Sequence, residues 1–328
     1  MSAPLVCGEG LSCGFRARDG LFARRRDIMA VRDVDITVGR GEAVGVVGES
    51  GCGKSTLGRL LLRLLPPSTG RVLFDGEDLG AATSAGLRRL RRRMQIVFQD
   101  PYGSLDPRRA IGEQIADGID IHRMANRRTA RERVAALLEQ VGLDPSHAGR
   151  LPHEFSGGQR QRIAIARALA TGPDFIVADE PVSALDVSVQ AQIVNLLADL
   201  RAELGLALLF ISHDLPVVRH LCDRVVVMYL GRVVETGRTA EVFAAPAHPY
   251  TRALLAATPS LRRAAKTPRA TLSGELPSPA APPSGCGFRT RCAFATAACS
   301  ETIPILRPIA QAHSVACLRI TEIPSSTG

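Results

Sequence analysis

The chain has 328 residues, 45% apolar and 22% charged, with 41 Lys plus Arg against 32 Asp plus Glu, a net charge of +9. That mix and length accommodate two or three globular units, each able to bury a core, and exclude collagen-like, wholly disordered and small disulfide-scaffold classes. The basic balance favours anionic partners such as phosphates, nucleic acid or an acidic membrane face, although 4% aromatics and no Trp leave few stacking platforms for single-stranded nucleic acid.

The N-terminal residues Met1–Gly8 lack a basic segment followed by an apolar one, and no run of 18 apolar residues occurs anywhere. Neither a secretory signal nor a transmembrane helix is expected, and the protein should remain in the cytoplasm. Residues 31–38 alternate like a half-buried strand, and Gly39–Glu42 reads as a turn. Ala43–Val47 reads as a buried strand running into Gly48–Thr56, after which Thr56–Leu65 forms a Leu-rich helix stopped by Pro66 and Pro67. Further short apolar runs at 72–74, 96–98, 175–178, 206–211 and 224–229 complete a largely parallel sheet covered by helices. Between them, residues 108–170 lose strand signals, and helical spacing dominates over 130–141 and 158–170. This pattern predicts a helical subdomain inserted between core strands. Six prolines over 259–285 predict an extended linker, and a Cys-rich tail closes the chain.

Gly48-x-x-x-x-Gly53-Lys54-Ser55 is a P-loop pattern, and it stands between a predicted strand and a predicted helix. Its glycines let backbone N–H groups curl around a phosphate, and the helix N-terminus adds its positive end. Lys54 supplies a point charge to the β- and γ-phosphates, and the Ser55 hydroxyl can reach Mg²⁺. Downstream, the apolar run 175–178 ends in Asp179 and Glu180. The first carboxylate suits Mg²⁺ and the second a water for in-line attack; a plain strand followed by an acidic turn is the alternative. Ser156-Gly157-Gly158-Gln159 opens a second helix with a further anion-binding N-terminus. One γ-phosphate does not need two helix N-termini from one chain, so a second copy or a homologue supplying the other accounts for the duplication.

With these motifs in order, the chain resembles the nucleotide-binding subunit of an ATP-binding-cassette (ABC) transporter. The P-loop spans Gly48, Glu49, Ser50, Gly51, Cys52, Gly53, Lys54, Ser55 and Thr56. Gln99 matches the Q-loop, Phe155–Gln159 the signature, Asp179 and Glu180 the Walker B pair, Asp186 the D-loop and His213 the switch histidine. The signature has Phe155 where many members have Leu. The resemblance is closer to ATP-binding subunits of bacterial dipeptide and oligopeptide importers, over about residues 11–320. Its specific stretches are 48–53, 99–105, 179–188, 248–251 and 272–279. Gly20-Leu21-Phe22 resembles the second of two paired ATPases in such importers, which implies a heterodimer. Phe15 takes the place of the aromatic that stacks on adenine, where Tyr is usual.

The resemblance implies an α/β fold: a P-loop NTPase (RecA-like) core with an antiparallel β subdomain and an inserted α-helical subdomain, plus a Cys-rich extension. The ATPase domain is expected over 1–245, its helical subdomain over about 104–172, and the extension over 246–328. The implied activity is ATP hydrolysis powering peptide import. Glu180 polarises the attacking water, Gln99 senses γ-phosphate and metal, and His213 contacts the γ-phosphate. Mg²⁺ is held by Ser55, Gln99 and Asp179. Ser156, Gly157, Gly158 and Gln159 face the partner's ATP, and Asp186 shapes the dimer interface. Implied partners are a second ABC ATPase subunit, two transmembrane permease subunits and an extracytoplasmic solute-binding protein, with the chain peripheral on the cytoplasmic face of the membrane and no nucleic acid bound. Related importers for nickel, glutathione or other solutes are the alternative. ABC ATPases acting on nucleic acid are disfavoured: only about 100 residues separate Lys54 from Ser156, without sustained heptads, and there is one cassette rather than two. A non-enzymatic module would predict damage at Lys54, Glu180 or His213, and all three are intact.

Two features stand apart. Arg88–Arg93 is the densest basic run, either a solvated helix face or a surface for acidic lipid or nucleic acid. Cys286, Cys292, Cys299 and Cys317, spaced C-x5-C-x6-C-x17-C, are expected to converge on one site. A 4Fe–4S iron–sulfur cluster, which some related importer subunits are thought to hold, zinc, or unligated thiols all stay open.

Overall fold

The strands divide between two sheets. The computed structural model describes residues 3–17, 26–258 and 274–322. The motif at Gly20–Phe22 and the first part of the Pro-rich segment, 259–273, lie outside the described residues. The chain opens with an antiparallel pair, β1 (Val6–Ala17) and β2 (Arg26–Val38). The alternation at 31–38 had marked only the second half of β2. β1 contains Gly8, Gly10 and Gly14, which dilute the β-branched pattern on which a strand is recognised. β3 (Ala43–Val47), buried at every position, leads into α1 (Lys54–Leu61). α1 stops short of the expected Leu65, because Arg63 takes a left-handed φ of 54° that no α-helix continues. β4 (Thr69–Phe74) pairs with β1 and β5 (Glu77–Asp78) with β4, giving an antiparallel sheet in the order β2-β1-β4-β5.

α2 (Ser84–Arg93) carries the basic run, and Leu90 is its one buried residue. The run therefore lies on an exposed helix face, where Arg88 and Arg91 donate to the carbonyls of Ile121 and Arg63 at 3.0 and 2.9 Å. β6 (Met94–Val97) is followed by four helices: α3 (Pro101–Ser104), α4 (Ile111–Ile121), α5 (Arg127–Gln140) and α6 (Gly157–Leu169). Ile111, Ile115 and Ile119 stand one helical turn apart on α4 and share a core with Val134 and Leu138 of α5 and Ile163 of α6. β7 (Phe175–Asp179), α7 (Val187–Leu204), β8 (Ala207–Ile211), α8 (Leu215–Leu221), β9 (Arg224–Tyr229) and β10 (Arg232–Arg238) then alternate. α9 (Thr239–Ala244), α10 (Pro249–Ala257), α11 (Ala298–Glu301), β11 (Arg307–Ala310) and β12 (His313–Val315) follow among the described residues. The large sheet runs β11-β12-β10-β9-β3-β8-β7-β6. Pairing is parallel from β9 through β6 and antiparallel from β9 outward. Among the described residues no helix is long and apolar enough to cross a membrane.

The tail thus extends the main sheet, and a buried hydrogen-bonded carboxylate fastens it. Glu235 of β10 is fully buried, and its carboxylate accepts from the Ala247 and His248 amides at 2.7 and 2.9 Å. His313 Nε2 of β12 lies 2.7 Å from the same carboxylate. Burial alone would raise the Glu235 carboxyl, but these hydrogen bonds outweigh it and hold it below the ordinary value of 4.5. A depressed carboxylate contributes stability that is present above that value and lost as pH falls through the folded-state value. Protection of the β12 amides from hydrogen exchange is therefore expected to persist at neutral pH and to drop below about pH 4.5. Glu235→Gln should weaken that protection already at pH 7, since hydrogen bonds to a charged group are each worth about 1.5–3 kcal/mol and the amide replaces them with weaker neutral ones. An unchanged exchange profile in the variant would contradict this role.

Candidate nucleotide site

The site lies where parallel strands end, at the C-terminal edge of β3, β6, β7 and β8, the edge at which open α/β sheets bind ligands. The loop after β3 is shaped by three glycines with positive φ, at two of which a Cβ would also clash with backbone. Gly48 has φ 152°, and a Cβ there would stand 2.3 Å from the Met228 carbonyl oxygen. Gly53 has φ 104°, and its Cβ would stand 2.1 Å from the Ala30 carbonyl oxygen. Gly51, with φ 78°, faces open space beside Ser50 at the loop tip. Lys54 is 4% exposed, and its ammonium donates to the carbonyls of Gly48 at 2.8 Å and Glu49 at 3.0 Å. Ser55 and Thr56 continue into the first turn of α1, whose N-terminus adds its positive end to the loop. Cys52 is buried against the loop, and desolvation pushes its thiol up, which suits a packing residue rather than a nucleophile.

The Ser55 hydroxyl donates to Asp179 Oδ1 at 2.6 Å. Burial pushes the Asp179 carboxyl above its usual range despite that bond. Glu180 follows in a left-handed conformation, φ 47°, with its N–H on the Ile211 carbonyl at 3.0 Å. A non-glycine residue in this region is uncommon, and here it turns the carboxylate out of the strand at the sheet edge. Glu180 Oε2 accepts from Gln99 Nε2 at 3.1 Å and lies 3.5 Å from His213 Nδ1. Three residues from the ends of β6, β7 and β8 thus meet at one carboxylate. A cleft of about 690 Å³ lined by Ser55, Asp179 and Gln99 adjoins them. Hydroxyl, carboxylate and amide oxygens are the hard donors that Mg²⁺ takes, so the residues present fit that ion.

The other expected residues are placed elsewhere. Ser156 caps α6, and its hydroxyl and the Gln159 side chain exchange bonds with each other's backbone N–H groups at 3.4 and 2.9 Å. A Cβ on Gly158 would stand 2.4 Å from Val189 Cγ1, and one on Gly157 3.4 Å from Leu185 Cδ2. The signature therefore packs against the start of α7. Asp186 caps α7 by accepting from Val189 N–H at 3.0 Å and from the Ser188 hydroxyl at 2.7 Å, bonds that hold its carboxyl below the usual range. Phe15 stands on β1 opposite Ile28 and is 43% exposed.

The four tail cysteines line one small cavity of about 20 Å³. Burial pushes the Cys286 thiol up to about 11 and raises those of Cys292 and Cys317. Among the described residues, however, no three His, Cys, Asp or Glu side chains are grouped so as to hold a metal ion. The four cysteines thus border one cavity, although they are not grouped there as a set of metal ligands.

Two site neighbours escaped the sequence reading. The Tyr250 hydroxyl accepts from the Glu49 N–H at 2.8 Å, and Arg291 donates to both Glu49 carboxylate oxygens at 2.6 and 3.0 Å. Tyr250 lay in the 248–251 stretch, yet its role was invisible there. For Arg291, 242 positions from Glu49, the sequence carried no signal.

Known proteins resemble this chain over most of its length. Residues 31–183 match the ABC transporter family, and residues 234–299 match the oligopeptide/dipeptide transporter C-terminal region. A putative peptide import ATP-binding protein of Brucella ovis is 52% identical over 96% of this chain and 98% of its own. The oligopeptide transport ATP-binding protein AppF of Bacillus subtilis is 52% identical, covering 92% of this chain and 93% of its own. Among solved structures, the dimeric structure of a post-hydrolysis state of an ATP-binding cassette bound to ADP and Pi is 30% identical, with a TM-score of 0.64, covering 71% of this chain and 98% of its own.

Proposed function

This chain belongs to the ATP-binding subunits of oligopeptide and dipeptide ABC transporters, and from that premise we propose that it hydrolyses ATP to power import of peptides across a membrane. The observation that carries the reading is the meeting of Gln99 and His213 at the Glu180 carboxylate, beside the Ser55–Asp179 pair and the Lys54 loop.

Lys54 and the amides of 51–56 take the phosphates. Ser55, Asp179 and Gln99 would hold Mg²⁺, which when bound would supply positive charge against the phosphates. Glu180 accepts a proton from the attacking water, while Gln99 fixes the carboxylate and His213 reaches the γ-phosphate. Phe15 offers its face to adenine. Ser156–Gln159 are engaged with α7 rather than with Lys54, so in this reading they serve the ATP of a partner cassette, with Asp186 at the joint. A dimeric related cassette supports that arrangement. The partner is a second ABC ATPase, forming a heterodimer. Two permease subunits and an extracytoplasmic binding protein complete the importer, with this chain on the cytoplasmic face. The ATPase domain spans 1–245, with an antiparallel β subdomain and a helical subdomain over about 104–172, and the Cys-rich extension spans 246–328.

Purified alone, the chain should hydrolyse ATP slowly and ignore peptides. The reconstituted importer should accelerate when peptide-loaded binding protein docks. Strong peptide stimulation of the isolated chain, or stimulation by DNA, would overturn the assignment.

The shared cavity supports a soft-metal role for Cys286, Cys292, Cys299 and Cys317, with an iron–sulfur cluster first and zinc second. Anaerobically purified protein should contain iron and absorb in the visible, and Cys292→Ser should lose both while retaining ATP binding. Zinc alone would leave the site and remove the cluster; absence of both metals would remove the role.

A further inference from the structure

Glu49 is held from three sides. Its carbonyl accepts from Lys54 Nζ at 3.0 Å, its N–H donates to the Tyr250 hydroxyl at 2.8 Å, and its carboxylate is forked by Arg291 at 2.6 and 3.0 Å. The first of these contacts lies within the loop; the other two come from the C-terminal part of the chain. The Arg291 side chain is 4% exposed and that of Glu49 24%, so the fork is largely out of water. An aromatic trio stands beside it: Phe288 lies 5.3 Å from the Tyr229 ring and 5.4 Å from Tyr250, and those two rings are 4.7 Å apart. Arg291 also donates to the Tyr229 hydroxyl at 3.4 Å. Phe288, 3% exposed, packs the tail onto β9 and α10 and so fixes where the guanidinium can reach.

We propose that Arg291 and Tyr250 are positioning residues for nucleotide binding: through Glu49 they hold the loop, and with it the Lys54 ammonium, in the shape that receives phosphate. The inference rests on the reading of 48–56 as a nucleotide site. A bidentate Arg–carboxylate pair fixes orientation as well as distance, which a single point charge does not. Release of Glu49 frees the segment between Gly48 and Cys52, where Gly51 imposes no restraint of its own. The ammonium then loses one of its two carbonyl anchors. Phosphate affinity falls, while the water-activating cluster at Glu180, on other strands, is untouched. The tail is thereby part of the ATP site rather than an appendage to it.

The test uses the purified full chain, with MgATP affinity, KM and kcat measured for Arg291→Gln, Glu49→Gln and the double variant. Each single variant is expected to raise KM for ATP about tenfold with kcat within about twofold, and the double variant to match the singles because each already abolishes the Glu49–Arg291 fork. Arg291→Lys, which keeps charge but not the fork, should fall between parent and Arg291→Gln. A KM within about twofold of the parent in folded Arg291→Gln, or effects that add in the double variant, overturns the proposal. Should Arg291→Gln fail to fold, Tyr250→Phe decides: a KM equal to the parent's overturns it. Lys54→Ala separates the premise, because unchanged MgATP affinity there removes the nucleotide site itself.

Discussion

Replacing Glu180 by Gln is expected to leave MgATP affinity near that of the parent and to cut turnover about 10²–10⁴-fold. The amide keeps the volume and can still meet Gln99 and His213, but it cannot take a proton from water. Affinity is retained because the phosphate-binding groups, the 48–56 loop and Lys54, belong to a different strand end. Nucleotide then stays bound, so the variant should also accumulate the closed dimer. Stopped turnover with retained fluorescent-nucleotide binding supports the role; near-normal hydrolysis removes Glu180 from it. The left-handed φ of 47° adds a second expectation. Glu180→Ala should be inactive for want of the carboxylate, and Glu180→Gly, better suited to that backbone, should be equally inactive.

Gly158→Val is expected to abolish turnover of the assembled transporter, by about 10²-fold or more, without lowering MgATP affinity of the isolated chain. A Cβ at 158 would stand 2.4 Å from Val189 Cγ1, so α6 and α7 must move apart by a substantial fraction of an ångström. That displaces the capped N-terminus at Ser156, the group meant for the partner's γ-phosphate, and leaves the Lys54 loop intact. Equal losses of affinity and turnover in the isolated chain would place the signature on its own ATP and contradict the two-cassette arrangement.

These expectations draw on unequal sources. The phosphate loop was legible in the sequence because its chemistry is local. Backbone N–H groups, two glycines, Lys54 and Ser55 stand within one strand–turn–helix unit, and their spacing is their geometry. The parallel core was legible for a similar reason, since buried strands such as Ala43–Val47 and Phe175–Asp179 read as unbroken apolar runs. The run Arg88–Arg93 forms the exposed side of α2, with Leu90 alone buried. β1 was missed because its glycines hide the alternation. The short strands β11 and β12 were missed because edge strands of three or four residues carry too little pattern to be read alone.

The sequence by itself determined which groups can bind phosphate and metal and which carboxylate can act on water, because those properties reside in side-chain chemistry and short spacings. Only the tertiary structure decided that Gln99, Glu180 and His213 share one point, since three strand ends separated by long stretches meet through sheet order alone. It likewise decided that Ser156–Gln159 face α7, that four cysteines share a cavity without a formed metal site, and that Arg291 reaches Glu49 across 242 positions. The physical reason is common to all of these. Sequence spacing constrains contacts within one element, whereas contacts between elements are set by how buried apolar faces pack, and that packing is a property of the whole chain.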